Sequence, residues 1–94
     1  MIVTVEEVKR HLRLQYDDED DYIESLIEQA QAAAEDYCRV SFEDHAPEPV
    51  RLAVLLMISH YFENRDSPDK QVYLAMRLAF ENLLYPHRDA ERMF

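Results

Sequence analysis

Hydrophobic residues recur at three- and four-residue intervals along most of the chain. No stretch shows the alternation that a half-buried strand needs. Val5, Val8 and Leu12 mark a first short helix, beginning at Thr4. Its entry, Thr4-Val5-Glu6-Glu7, has the form of a capping box. There the Thr hydroxyl meets the third helical amide and the Glu reaches back to the cap. Ile23, Leu26, Ile27, Ala30, Ala33, Ala34 and Tyr37 mark one face of a second helix over about four turns. A third helix, roughly Pro49 to Asn64, carries Val50, Ala53, Val54, Leu55, Leu56, Met57, Ile58, Tyr61 and Phe62. It is apolar nearly all round, which predicts a central position or a covering partner. Pro47 and Pro49 suit its first turn, and Asn64, Ser67 and Pro68 end it. A fourth helix from about Asp69 to Leu84 is expected to bury Val72, Ala75, Met76, Ala79, Phe80 and Leu83. Pro86 stops it, and the tail from His87 to Phe94 is expected to order only on assembly. These elements predict an all-α fold: one domain spanning residues 1–94, a small bundle of about four helices with an apolar central third helix.

Composition sharpens this picture. The 94 residues contain no glycine, so turns fall to Asn, Asp, Ser and Pro, and a Gly-rich phosphate loop is excluded. The formal net charge is −10. Such a surface repels phosphates and disfavours ordinary nucleic-acid binding, although an acidic wall can let DNA slide past without sticking. The charge is unevenly placed. Lys9, Arg10, His11 and Arg13 cluster at the end of the first helix, where cations suit the helix dipole. Asp17-Asp18-Glu19-Asp20-Asp21 opens the second helix, where acids suit it. Between Leu14 and Cys38 there are nine acids and no Lys or Arg, so the outer face of the second helix is strongly negative. The one cysteine, Cys38, rules out an internal disulfide framework and suits a reducing cytoplasm. No run of 18 apolar residues suggests a membrane span, and the first residues do not read as a signal peptide.

Candidate chemistry is sparse. Asp17 to Glu28 places acids at the first, third, fifth and twelfth positions of a calcium loop. Its sixth position is Tyr22, where such a loop turns on Gly, so a helix start is the better reading. His60 and Glu63 share a helical face, but two ligands do not hold zinc, and His11, His45 and His87 lie in separate segments. Cys38 reads as a small buried apolar residue beside Tyr37. No catalytic, cofactor-binding or metal-binding residues are expected, and no cofactor.

The order and spacing of several segments resemble the head–tail connector family of long-tailed double-stranded DNA phages. The segments are Val5-Glu6-Glu7-Val8-Lys9 leading to His11-Leu12-Arg13, and Asp18-Glu19-Asp20 leading into Ile23-Glu24-Ser25-Leu26-Ile27. With them go the third helix ending in His60-Tyr61-Phe62-Glu63-Asn64-Arg65, and Leu83-Leu84-Tyr85-Pro86-His87-Arg88. Family members often carry Gly just after the second helix. Here Tyr37-Cys38-Arg39-Val40-Ser41 must cap the helix otherwise, or let it run on. The segment from Arg65 to Leu84 also reads as a longer helix than the family suggests.

The resemblance implies a structural virion or prophage protein with no enzymatic activity. It implies a homo-oligomeric ring matching the portal's symmetry, docked beneath the portal protein of the DNA-filled head. The ring would extend the DNA channel and offer a platform to a downstream head-completion or tail protein. The implied location is the virion neck, and the host bacterial cytoplasm during assembly. A ring needs one patch to meet a different patch on its neighbour. The basic cluster at Lys9, Arg10 and Arg13 and the acids Asp17, Asp18, Asp20 and Asp21 form such a pair of complements. The competing readings are an acidic DNA-mimic inhibitor and another helical protein-interaction adaptor.

Overall fold

A computed structural model describes residues 1–66 and 69–89. Four helices follow one another: α1 (Val5–Leu12), α2 (Asp20–Cys38), α3 (Glu48–Glu63) and α4 (Lys70–Leu84). A short 3-10 turn, Tyr85–His87, closes the last of them. The architecture is all-α, as the periodicity predicts. Helix α3 is central, packing on α1, α2 and α4. Its Val50, Ala53, Val54, Met57 and Ile58 are buried. They meet Ile23, Leu26, Ile27, Ala30 and Ala34 of α2 and Met76, Phe80 and Leu84 of α4 in one core.

The start of α1 is the capping box its sequence announces. The Glu7 amide donates to Thr4 Oγ1 at 3.1 Å, and the Thr4 amide donates to Glu7 Oε1 at 3.3 Å. The helix ends show how a chain without glycine closes a turn. Arg13 takes a left-handed conformation, φ 61°. Its amide donates to Arg10 O, and the Leu14 amide reaches Lys9 O. This is the C-terminal motif in which glycine is usual. Arg39 does the same at the end of α2, φ 59°, with its amide on Glu35 O at 2.7 Å. The cap that the missing glycine leaves open is therefore Arg39 itself, and α2 does not run on. A residue with a Cβ held in this region costs about 1 kcal/mol.

Two features depart from expectation. The first is the rotation of α4. Met76, Phe80 and Leu84 are buried and Leu83 is half-buried, but Val72, Ala75 and Ala79 face solvent. Arg77 lies at the edge of the buried side. Its guanidinium lies 5.0 Å from the centre of the Phe80 ring, and its Nε donates to Glu81 at 2.8 Å. The charged arc of α4 thus flanks the core with its aliphatic stem on an aromatic ring, and does not mark the solvent side.

The second departure is the tail. Residues 90–94 lie outside the described residues, but His87 to Asp89 are docked within the single chain. The Asp89 amide donates to Cys38 O at 2.8 Å, and Arg88 Nε donates to Tyr37 O at 3.1 Å. The Arg88 guanidinium also sits 4.7 Å from the Tyr37 ring centre. Carbonyls at the end of α2, which lack helical partners, are satisfied by this returning segment. Assembly is not needed to place it.

Candidate functional site

Among the described residues no cluster of side chains converges as a catalytic centre would. Cys38 is fully buried, its thiol 3.8 Å from Leu84 O, and burial pushes its pKa above the ordinary thiol value. It reads as a packing residue, as its sequence context suggests. His60 packs against the rings of Tyr61 and Tyr73, 5.4 and 5.8 Å between centres. The calcium-like stretch is helical from Asp20 onward, and Tyr22 at its sixth position packs on Phe62. Among the described residues no group of three or more His, Cys, Asp or Glu is placed to hold a metal ion. No helix of the described residues is long and apolar enough to cross a membrane.

The chemistry of this chain lies on its outer surfaces. The basic and acidic clusters near the α1–α2 connection prove to be neighbours within one chain. Lys9, although buried, extends its ammonium to Asp17 and to Asp20 Oδ1, the latter at 3.1 Å. The hydrogen bond that the ammonium donates to Asp17 is the main cause that holds the Lys9 pKa above its ordinary value. So Lys9, Asp17 and Asp20 join α1 to the start of α2. Arg10, Arg13, Asp18 and Asp21 remain exposed. Arg10 also lines a groove between α1 and α3 with His11, Glu7, Arg51 and Leu55.

Helix α2 is fixed at both ends by groups that no periodic pattern marks. At its start, Arg65 from the end of α3 makes a two-pronged ion pair with Glu19, 2.9 and 3.0 Å. The same guanidinium lies over the rings of Tyr22 and Phe62. The Arg65 hydrogen bond holds the Glu19 carboxyl below its ordinary range. Farther along, buried Gln31 accepts from the Ile2 amide at 2.8 Å and donates to Glu43 O at 2.9 Å. Glu35 accepts from the Phe42 amide at 2.8 Å. With Ile2 and Val3 inserted in the core, these bonds tie the first residues and the α2–α3 connector to one side of α2. The same side of α2, away from the core, carries exposed Asp21, Glu24 and Glu28 toward the start of the helix, with exposed Asp36 farther round. Spacings of three and four put the first three on one stripe.

Comparison with known proteins decides the family. The family model of the phage gp6-like head-tail connector protein matches residues 2–88. The chain belongs to this family. Nothing among the curated proteins or the solved structures matches it significantly. The connector family is structural, which accords with a molecule whose notable chemistry is spread over surfaces. The match takes in α1 through α4 and the docked turn after them, so the family pattern covers every element described above.

Proposed function

We propose that this connector is a component of the virion neck. In this reading it forms a homo-oligomeric ring beneath the portal protein, extends the DNA channel, and receives a downstream head-completion or tail protein. The observation that carries the proposal is the family match over residues 2–88. Two surface features support it. The carboxylate stripe of α2 is suited to a channel wall, because fixed negative charge repels the phosphate backbone and leaves DNA free to move. The four exposed members of the charged clusters are suited to a subunit boundary. Arg10 and Arg13 of one copy face Asp18 and Asp21 of the next, setting register more than affinity. Lys9, Asp17 and Asp20 support that boundary from within their own chain.

Assembly takes place in the host bacterial cytoplasm, where portal and connector meet. The first test is light scattering on the purified chain, alone and with the portal from the same genome. A ring-sized species, above all one that appears only with the portal, is the expected result. A chain that stays monomeric and ignores the portal defeats the proposal. The boundary has its own test: assembly of the Arg10→Glu, Arg13→Glu double variant at wild-type strength would show that the pairing is wrong.

One observation favours a second reading. Exposed Asp21, Glu24 and Glu28 on a helix without an intervening cation also resemble the phosphates of a DNA groove. A DNA-mimic inhibitor would block a nuclease or repressor without the portal, and a connector would not.

A further inference from the structure

Among the described residues, most of the exposed large hydrophobic side chains lie on the outer side of α4 and just beyond it. Leu74 is 52% exposed and Leu78 63%, with Val72 at 46% and Tyr85 at 64% just beyond the helix. Ala75, Ala79, Gln71 and Asn82 complete the exposed arc. The charges of α4 within this span, Arg77 and Glu81, are paired with each other beside the core. The arc therefore holds no carboxylate, in a chain whose net charge is −10. Copies of such a chain repel one another wherever their acidic faces approach. They can meet closely where acids are absent or are paired with a cation.

A second surface holds carboxylates, Glu7 and Glu48, only as partners of Arg51. On α3, Leu52 is 46% exposed and Leu55 lies one turn on, in the floor of the α1–α3 groove, with exposed Arg10 and His11 at its edge. Helix α1 packs on α2 and α3, whereas α4 packs on α3 and α2, so the two surfaces belong to different elements of the bundle. A contact that joins two unlike patches propagates head to tail and closes when its rotation allows.

We infer that the outer side of α4 is covered by a second copy of this chain, seated against that copy's Leu52–Leu55 ridge and α1–α3 groove. This deepens the ring reading above and rests on it. Leu74 and Leu78 supply the inserted side chains, and Ala75 and Ala79 let the neighbour approach closely. The outer side of a 15-residue helix is about 22 Å long. That is a small patch against the ~800 Å² per partner of a stable pair. Free copies therefore associate weakly, and the contact closes when the portal holds neighbours side by side.

The test uses the full chain with the portal from the same genome, and three variants: Leu78→Glu, Leu52→Glu and the milder Leu78→Ser. All alter exposed positions, and circular dichroism checks that each is folded. Wild type is expected to give a ring-sized species by light scattering. Each variant is expected to need at least about tenfold more protein to give it, with Leu78→Ser the mildest. Mixing Leu78→Glu with Leu52→Glu leaves one intact contact per pair, so cross-linking should trap two-copy species that neither variant yields alone. Wild-type assembly by folded Leu78→Glu overturns the inference, as does a mixture that yields no pairs. So does loss of portal binding with self-association unchanged, because the portal would then be the occupant. If wild type itself gives no assembly with the portal, the ring reading fails and the inference fails with it.

Discussion

Helices α2 and α4 each turn one side to the common core, but their outer sides are opposites. That of α2 bears Asp21, Glu24, Glu28 and Asp36, a surface complete in water. That of α4 bears Leu74, Ala75, Leu78 and Ala79, whose exposure leaves hydrophobic free energy unrealised until something covers them. The difference shows that a helix in a small bundle has two separate problems to solve. The inward side answers to the fold of one chain. The outward side answers either to solvent or to the next molecule, and only its composition shows which.

The largest expected effect divides α4 along this line. Phe80 is fully buried and lies under Arg77, so Phe80→Ala should cost about 3–5 kcal/mol of unfolding free energy. Leu78, two residues earlier and well exposed, should tolerate Ala within about 0.5 kcal/mol. Urea unfolding of the two variants checks both values. Equal losses would mean that α4 is not rotated as described, and the contrast between its two sides would disappear.

That rotation is also where the sequence is hardest to read. Helix α4 is apolar along two adjacent lines, one through Val72, Ala75 and Ala79 and one through Met76, Phe80 and Leu84. Periodicity alone cannot choose between them. Nor do Arg77 and Glu81 settle the choice, because an ion pair with its guanidinium laid over an aromatic ring sits at the edge of a core. Helix α2 posed no such difficulty. Its apolar residues form one line, its acids another, and all of Ile23, Leu26, Ile27, Ala30 and Ala34 are buried as the spacing requires. The capping box of α1 and the central place of α3 were equally legible. The positions of Ile2, Val3 and Gln31 were not, since residues outside a periodic run and a polar residue inside one give no burial signal. The intrachain partners of Lys9 were hidden for a related reason. Sequence shows that opposite charges are available, but only the turn between α1 and α2 decides that they meet in the same molecule.

Gln31 gives the next largest effect and tests the inward edge of α2. Replacing it by Ala removes the partners of the Ile2 amide and the Glu43 carbonyl, and leaving such groups unsatisfied costs about 1–3 kcal/mol. The loss should appear in urea unfolding, with the first residues of the chain exchanging amide hydrogens faster than the α3 core. A variant as stable as wild type would mean that these bonds do not hold the first residues and the connector to α2.

A change of opposite sign is expected at Arg13. Its left-handed backbone suits glycine, so Arg13→Gly should raise stability by up to about 1 kcal/mol, less the cost of a more flexible unfolded chain. The same substitution removes one of the exposed cations proposed at the subunit boundary. Thermal unfolding should therefore rise while assembly with the portal falls. A variant that gains stability and assembles normally would free Arg13 from any part in the boundary and leave the α4 contact to carry it.

The smallest effect concerns pH and the anchoring of the acidic helix. Arg65 holds the Glu19 carboxyl below its ordinary value of 4.5, so the folded state binds this proton less readily than the unfolded state does. Stability from the pair is therefore complete above about pH 4.5 and is lost as pH falls through the folded value. Both partners are partly exposed, with side chains 26% and 37% accessible, so salt should weaken the effect further. Glu19→Gln should unfold at a slightly lower temperature than wild type at pH 7, and the gap should close below pH 4.5. On α4, Leu78→Ser introduces no titrating group, so its difference from wild type should not follow this acid limb. A Glu19→Gln gap that persists unchanged into acid would mean that Arg65 holds α2 through the Tyr22 and Phe62 rings, and that the ion pair contributes nothing to the placement of the acidic face.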